Sequence, residues 1–248
     1  MTGPGTGAAA GPGSRAADVG YDLTYGPFVA DERELRLLGN VAGRRVLVLG
    51  CGDGGPAVAL AAVGARVIAV DPSAEAVAVT RRAATLRHAA VDVQARDLAE
   101  LAFVRAESID VAVSVGALAA VADLLRVFRQ VHRVLRVEGT VVMSVPHPIL
   151  GCLADDARRG PEGVQLVRRY GAPVSASQRS APAHTTEALV TALTRVGFRV
   201  EALLELMARP PAPADAATPT GPDDATGWST LLERLPATLV LRARKTGL

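Results

Sequence analysis

Aromatic residues are scarce in this chain, only 3% of 248 residues, which leaves few rings on which nucleobases could stack. Lysine is scarcer still. Of the 27 basic residues all but Lys245 are Arg, and 25 interleaved acids reduce the net charge to +2. Without a basic stripe, a nucleic-acid-binding face is not expected. Cysteine is confined to Cys51 and Cys152, too few for a disulfide framework and in keeping with reduced thiols in a cytoplasmic protein. These cysteines and four scattered histidines offer no metal-ligand spacing, so no metal site is expected. Long apolar runs are missing too. The longest, Val111 to Ala122, stops at 12 residues between two aspartates, short of the ~18 that span a bilayer. Residues 1–19 are mostly Gly, Ala, Pro, Ser and Thr, without the basic start and apolar block of a signal peptide, and read as a disordered tail. The expectation is a cytoplasmic protein with neither a membrane nor a nucleic-acid partner.

What is present is apolar bulk, 49% of residues, arranged in alternating short runs. Arg45–Leu49 and Arg66–Val70 read as strands buried on both faces, each broken by Gly or Asp-Pro. Val91–Ala95, Ile109–Val115 and Thr140–Val145 continue the series, the last one after a turn at Glu138-Gly139. Between them lie helices expected over Pro56–Val63, from Ser73 as N-cap through Arg82, and over Val121–Leu135. An earlier helix is expected over Asp31–Leu38 with Gly39 at its C-cap, and a later one over Thr185–Val196. Two more strands, Phe198–Leu206 and Ala237–Ala243, close the chain. Alternating units with buried strands imply a parallel sheet covered by helices on both faces. Residues 20–248 therefore form a single α/β domain, with a cap-like excursion at 146–182 and a flexible linker at 210–227.

The chemistry is concentrated at Leu49-Gly50-Cys51-Gly52-Asp53-Gly54-Gly55, where a buried strand breaks into glycines before a helix. Such a turn lets a nucleotide-like ligand approach the backbone closely and tolerates dihedrals other residues avoid. Asp71 ends the next strand 21 residues after Gly50, where a carboxylate can accept hydrogen bonds from both ribose hydroxyls. Together these features point to an adenosine-containing cofactor. Gly50, Gly52 and Gly55 also satisfy the dinucleotide fingerprint, so an NAD(P)-dependent oxidoreductase stands as an alternative. Against it, Asp97 offers a polar group for an adenine amine, no second nucleotide-binding half follows the fifth strand, and the last two strands suggest an antiparallel hairpin.

These residues resemble the class I S-adenosylmethionine-dependent methyltransferases, in a bacterial small-molecule branch. The likeness covers about residues 20 to 244 and rests on Leu49 to Gly54, on Val70-Asp71-Pro72-Ser73, on Arg96-Asp97-Leu98, on the helix Phe128 to Arg136 and on Ser144-Val145-Pro146-His147-Pro148. It implies a Rossmann-like, doubly wound seven-stranded sheet with an antiparallel last strand. S-adenosylmethionine would be held by Gly50, Cys51, Gly52, Gly54, Asp71, Pro72, Asp97, Leu98 and Val115, with Tyr25 of the N-terminal segment closing over it. The acceptor would be a small molecule methylated on O, N or C, and the protein a monomer or homodimer. The family often has an acid two residues before the first glycine, and here that position is Val48. Its replacement implies weaker cofactor binding, compensation by Asp53, or a non-catalytic relative that binds a nucleotide.

The transferred methyl is already electrophilic, so alignment is the main requirement, and a general base is needed only for a hydroxyl or ammonium acceptor. His147, between two prolines at the end of the fifth strand, is the candidate catalytic residue. His184 reads as a helix flank, His132 as solvated and His88 as a helix end. Cys51 is better explained as a small side chain in a glycine turn than as a nucleophile.

Overall fold

Strand β1 (Arg45–Leu49) carries Leu47 and Leu49 into one hydrophobic cluster and Val46 and Val48 into another, all four with no exposed surface. A strand buried on both faces belongs at the middle of a sheet, and β1 pairs in parallel with β2 (Arg66–Asp71) and with β4 (Ile109–Val115). The computed structural model describes residues 22–153, 166–172, 184–209 and 234–247. The tail at 1–19, the linker at 210–227 and most of the excursion at 146–182 lie outside the described residues.

Strands β3 (Val91–Ala95), β5 (Leu135–Pro146), β6 (Phe198–Met207) and β7 (Pro236–Lys245) complete a seven-stranded sheet in the order β3-β2-β1-β4-β5-β7-β6. β7 runs antiparallel to both neighbours and is the one reversed strand. This is the expected doubly wound sheet with its last strand reversed. One face is covered by α4 (Leu124–Val134) and α5 (Thr186–Arg195), which pack Phe128, Val131 and Leu193 onto Leu47, Val141 and Leu241. The other is covered by α2 (Gly55–Ala62), α3 (Ala74–Leu86) and the N-terminal segment, through Leu60, Val77, Leu23 and Tyr25. No helix among the described residues is long and apolar enough to cross a membrane.

Four expectations are corrected. α1 covers only Glu32–Leu35, and its cap is Arg36 in the left-handed region (φ 51), not Gly39. The reason is Glu32, whose buried carboxylate accepts the backbone N–H of Leu37 at 3.0 Å and of Leu38 at 2.8 Å, as well as the Tyr25 hydroxyl. α4 starts later than expected because Asp123 caps it, its carboxylate accepting Arg126 N–H at 2.9 Å, and Ala117–Ala120 before it form a 3-10 turn. β5 starts earlier: Leu135 already pairs with Ile109, and Glu138-Gly139, expected as a turn, sits in an irregularity before Thr140 pairs with Val111. His132 is half-buried and not solvated, its ring meeting Phe198 edge-on at 5.2 Å. Burial, with Lys245 nearby, lowers its pKa below the ordinary imidazole value.

Candidate cofactor site

The carboxyl ends of β1 and β4 meet where the strand order reverses, the place at which open α/β sheets bind ligands. A cavity of about 280 Å³ opens there. Gly50, Cys51, Gly52, Asp53, Gly55 and Pro56 line it from the glycine loop and the start of α2 (Gly55–Ala62), Val115 from β4, and Asp22, Thr24, Gly26 and Pro27 from the N-terminal segment. The N-terminal wall is pinned. Thr24 bridges Asp31, Arg209 donates its N–H to Phe28 O, and the Arg209 guanidinium pairs with Glu34 at 2.6 Å.

The glycines of the loop have different reasons to be glycine. Gly50 has φ +77, and a Cβ there would stand 2.0 Å from the Cβ of Ala117. Gly54 has φ +89, and its Cβ would be 2.9 Å from the Thr80 backbone. Both positions are fixed by the protein's own packing. Gly52, at φ +50, has nothing within 4 Å of where a Cβ would be, so its open side faces the cavity and is free for a ligand.

Asp71 stands behind this loop at the end of β2. Its Oδ2 accepts Gly52 N–H at 3.2 Å, and its Oδ1 accepts Ser73 N–H at 2.9 Å. The carboxylate is nearly buried, yet each oxygen keeps a further lone pair. It thus sets the position of the loop before any ligand arrives. Asp97 is exposed at the end of β3, with Oδ1 accepting Ala99 N–H at 2.8 Å. Pro72 is exposed beside Asp71, and the Leu98 side chain is buried in the core. Of the residues expected from the sequence, the cavity gathers Gly50, Cys51, Gly52 and Val115; Gly54, Asp71, Pro72, Asp97, Leu98, Tyr25 and His147 are not among its lining residues.

Tyr25 points into the core, 1% exposed, with its hydroxyl on Glu32; its neighbours Thr24 and Gly26 face the cavity instead. His147 is also tied down. Its Nδ1 accepts Ile149 N–H at 3.2 Å, which leaves the proton of the neutral ring on Nε2, 3.0 Å from Glu205 Oε1. With its own N–H on Ala237 O, it joins the end of β5 to β6 and to the start of β7. His184 bonds Val121 O at 2.6 Å, in keeping with a helix flank. Asp22, Thr24, Gly26 and Pro27 were missed by the sequence reading. The one available signal was the segment's place just before the domain, which drew attention to the tyrosines and not to the residues between them.

Burial pushes the Cys51 thiol above its ordinary pKa; the charge of Asp71 adds to the rise and the Thr80 hydroxyl opposes it. The neutral thiol is therefore favoured by folding. The stability it contributes is complete below the unfolded-state pKa and is lost as pH rises through the higher folded-state value. At pH 8 iodoacetamide is expected to leave Cys51 unmodified in the native protein and to alkylate it promptly in denaturant. Rapid native alkylation, read by mass spectrometry, would contradict the packed, protonated thiol.

Residues 47–143 match a family model described as a methyltransferase domain. A Mycobacterium tuberculosis protein described as a probable S-adenosylmethionine-dependent methyltransferase is 39% identical over 114 residues, 46% of this chain and 40% of that relative. The crystal structure of an S-adenosylmethionine-dependent methyltransferase from Mesorhizobium loti is 28% identical, with a TM-score of 0.66 over 86% of this chain and 97% of that one. The chain thus carries a methyltransferase domain and is similar to S-adenosylmethionine-dependent methyltransferases in sequence and fold. The match spans 40% of the length of the curated relatives. The methyltransferase fold by itself does not fix the reaction: the [4+2]-cyclase SpnF shares it at 20% identity, with a TM-score of 0.57.

The cofactor of these similar methyltransferases is S-adenosylmethionine, and the residues present fit it. Among the described residues the lining has two carboxylates, Asp22 and Asp53, and no lysine or arginine. That charge suits a ligand bearing a sulfonium and an ammonium, and it opposes the diphosphate of a dinucleotide. Val48 is sealed between Ala69 and Val113 with no exposed surface, so position 48 has no path to the cavity.

Proposed function

We infer that this methyltransferase transfers a methyl group to the O, N or C of a small-molecule acceptor, in the cytoplasm. The observation that carries the reading is the cavity itself: small, walled by the N-terminal segment, and acidic where the glycine loop lies open. When bound, the cofactor supplies an electrophilic methyl on a positively charged sulfur. The chain's own residues supply position. Asp71 holds the loop through Gly52 and has lone pairs left for ribose hydroxyls, Asp97 stands at the end of the neighbouring strand for the adenine, and Val115 bounds the far side. Asp53, which lines the cavity, supplies a carboxylate beside the glycine loop.

Acceleration on this reading comes from alignment and exclusion of water more than from proton transfer. No histidine, lysine or arginine lines the cavity among the described residues, and the Cys51 thiol is kept protonated. His147 acts as a positioning residue, since both ring nitrogens are engaged by protein groups.

Calorimetric titration with S-adenosylmethionine, S-adenosylhomocysteine and NAD tests the reading directly. Binding of the first two and not of NAD is the expected result. Binding of NAD alone would establish the oxidoreductase alternative, and binding of none would leave a fold retained without its cofactor.

A further inference from the structure

Glu32 is an acid set in the core: it is 3% exposed, and Leu23, Tyr25, Leu37 and Leu38, which it bonds, are themselves buried. The Tyr25 hydroxyl and the N–H groups of Leu37 and Leu38 donate to its carboxylate, and its own N–H donates to Leu23 O at 2.9 Å. A buried charge adds little net stability, because desolvation offsets most of the gain from its hydrogen bonds. What it supplies is direction. Leu23 and Tyr25 flank Thr24, and both are bound to Glu32, so Thr24 is held from either side. Thr24 itself bridges Asp31, the residue before Glu32. Arg33, the residue after it, pairs with Asp22 at 2.5 Å. Asp22, Thr24 and Gly26 line the cavity; Glu32 and Tyr25 stand behind them.

We propose that Glu32 is a positioning residue for the cofactor: its carboxylate holds the N-terminal segment so that Asp22, Thr24 and Gly26 face the cavity, and the part of S-adenosylmethionine against that wall depends on it. The lining indicates which part this is. Asp71 and Asp97, proposed for the ribose and the adenine, are not among the lining residues. The wall therefore serves the sulfonium and amino-acid arm of the cofactor and not the nucleoside. Loosening Glu32 lowers the fraction of molecules with the wall in place, and the apparent affinity for a ligand that needs the wall falls in proportion. A ligand that does not touch the wall is unaffected. The inference rests on the reading of this cavity as the cofactor site.

The test compares Glu32→Gln and Tyr25→Phe in the full chain, with S-adenosylhomocysteine and adenosine titrated by calorimetry. Glutamine keeps the length of the side chain, but whichever way its amide turns, the NH2 opposes the N–H of Leu37 or of Leu38. It should weaken S-adenosylhomocysteine about tenfold or more, the range of a hydrogen bond to a charged group. Tyr25→Phe removes only the hydroxyl and leaves the ring in the core, so it should fold even where Glu32→Gln does not. It should weaken S-adenosylhomocysteine about three- to tenfold. Adenosine, which lacks the arm, should bind both variants within about twofold of wild type. Val131→Ala, in the core on the opposite face of the sheet, gives the comparison for a purely structural loss. It should lower Tm and leave both affinities within about twofold of wild type. Unchanged S-adenosylhomocysteine affinity in either folded variant, adenosine weakened as much as S-adenosylhomocysteine, or an equal loss in Val131→Ala would each overturn the proposal. Failure of S-adenosylhomocysteine or of adenosine to bind the wild-type protein would strike the cofactor reading first, which separates the two failures.

Discussion

Replacing Asp71 by asparagine is expected to weaken S-adenosylmethionine binding by about 10- to 150-fold. Hydrogen bonds to a charged group contribute about 1.5–3 kcal/mol, and each 1.4 kcal/mol is a factor of ten. The structure gives Asp71 two duties that the substitution disrupts together. Its Oδ2 fixes the loop by accepting Gly52 N–H, and an amide NH2 at that point would oppose donor to donor. Its remaining lone pairs are those proposed for the ribose hydroxyls. Asparagine can still accept Ser73 N–H through its one oxygen, so the turn into α3 should persist and the variant should fold. Isothermal calorimetry on the folded variant decides the matter. An affinity within twofold of wild type would remove Asp71 from the site.

Gly50→Ala is expected to have the largest effect on stability, about 2–5 kcal/mol of a total that is typically about 5–15. Two independent penalties combine. An L-residue in the left-handed region costs about 1–2 kcal/mol, and overfilling a packed site about 1–3. Both apply, because Gly50 has φ +77 and its added methyl would fall 2.0 Å from the Ala117 Cβ. Urea unfolding should show a large fall in the midpoint, and adding Ala117→Gly should recover the steric part but not the conformational part. Gly52→Ala is the contrast. Nothing lies within 4 Å of its Cβ position, so it meets only the milder dihedral cost while placing a methyl in the cavity wall. The first substitution should chiefly lower stability and the second chiefly lower cofactor affinity. Equal stability losses in the two variants would contradict this division of the loop.

The glycine loop could be read in the sequence because its pattern is local: an apolar strand, glycines, then a helix. Spacing alone could not show that Gly50 and Gly54 also accommodate Ala117 and Thr80, which are distant in the chain. The helix at Asp31–Leu38 failed for a similar reason. Its residues suit a helix, but the Glu32 carboxylate takes the N–H groups of Leu37 and Leu38 and ends it after four residues. His147 stood out by its place at a strand end. The bond to Glu205, 58 positions later, which commits its ring, has no sequence signature.

Sequence alone determined the strand–helix alternation, the strands buried on both faces, the glycine turn and the acid after β2, because each is fixed by periodicity or by the backbone demands of a few adjacent residues. It also supplied the reversal of the last strand, through the resemblance those motifs carry. Tertiary structure decided which side chains meet. It packed the N-terminal segment into one hydrophobic cluster with residues of β4, β5 and β7, turned Tyr25 inward and Gly26 toward the cavity, brought Asp22 and Asp53 to one cavity, and left Ser144 without a hydrogen-bond partner among the described residues. Those outcomes depend on contacts between residues tens to hundreds of positions apart, and only the packed sheet brings such residues within reach of one another.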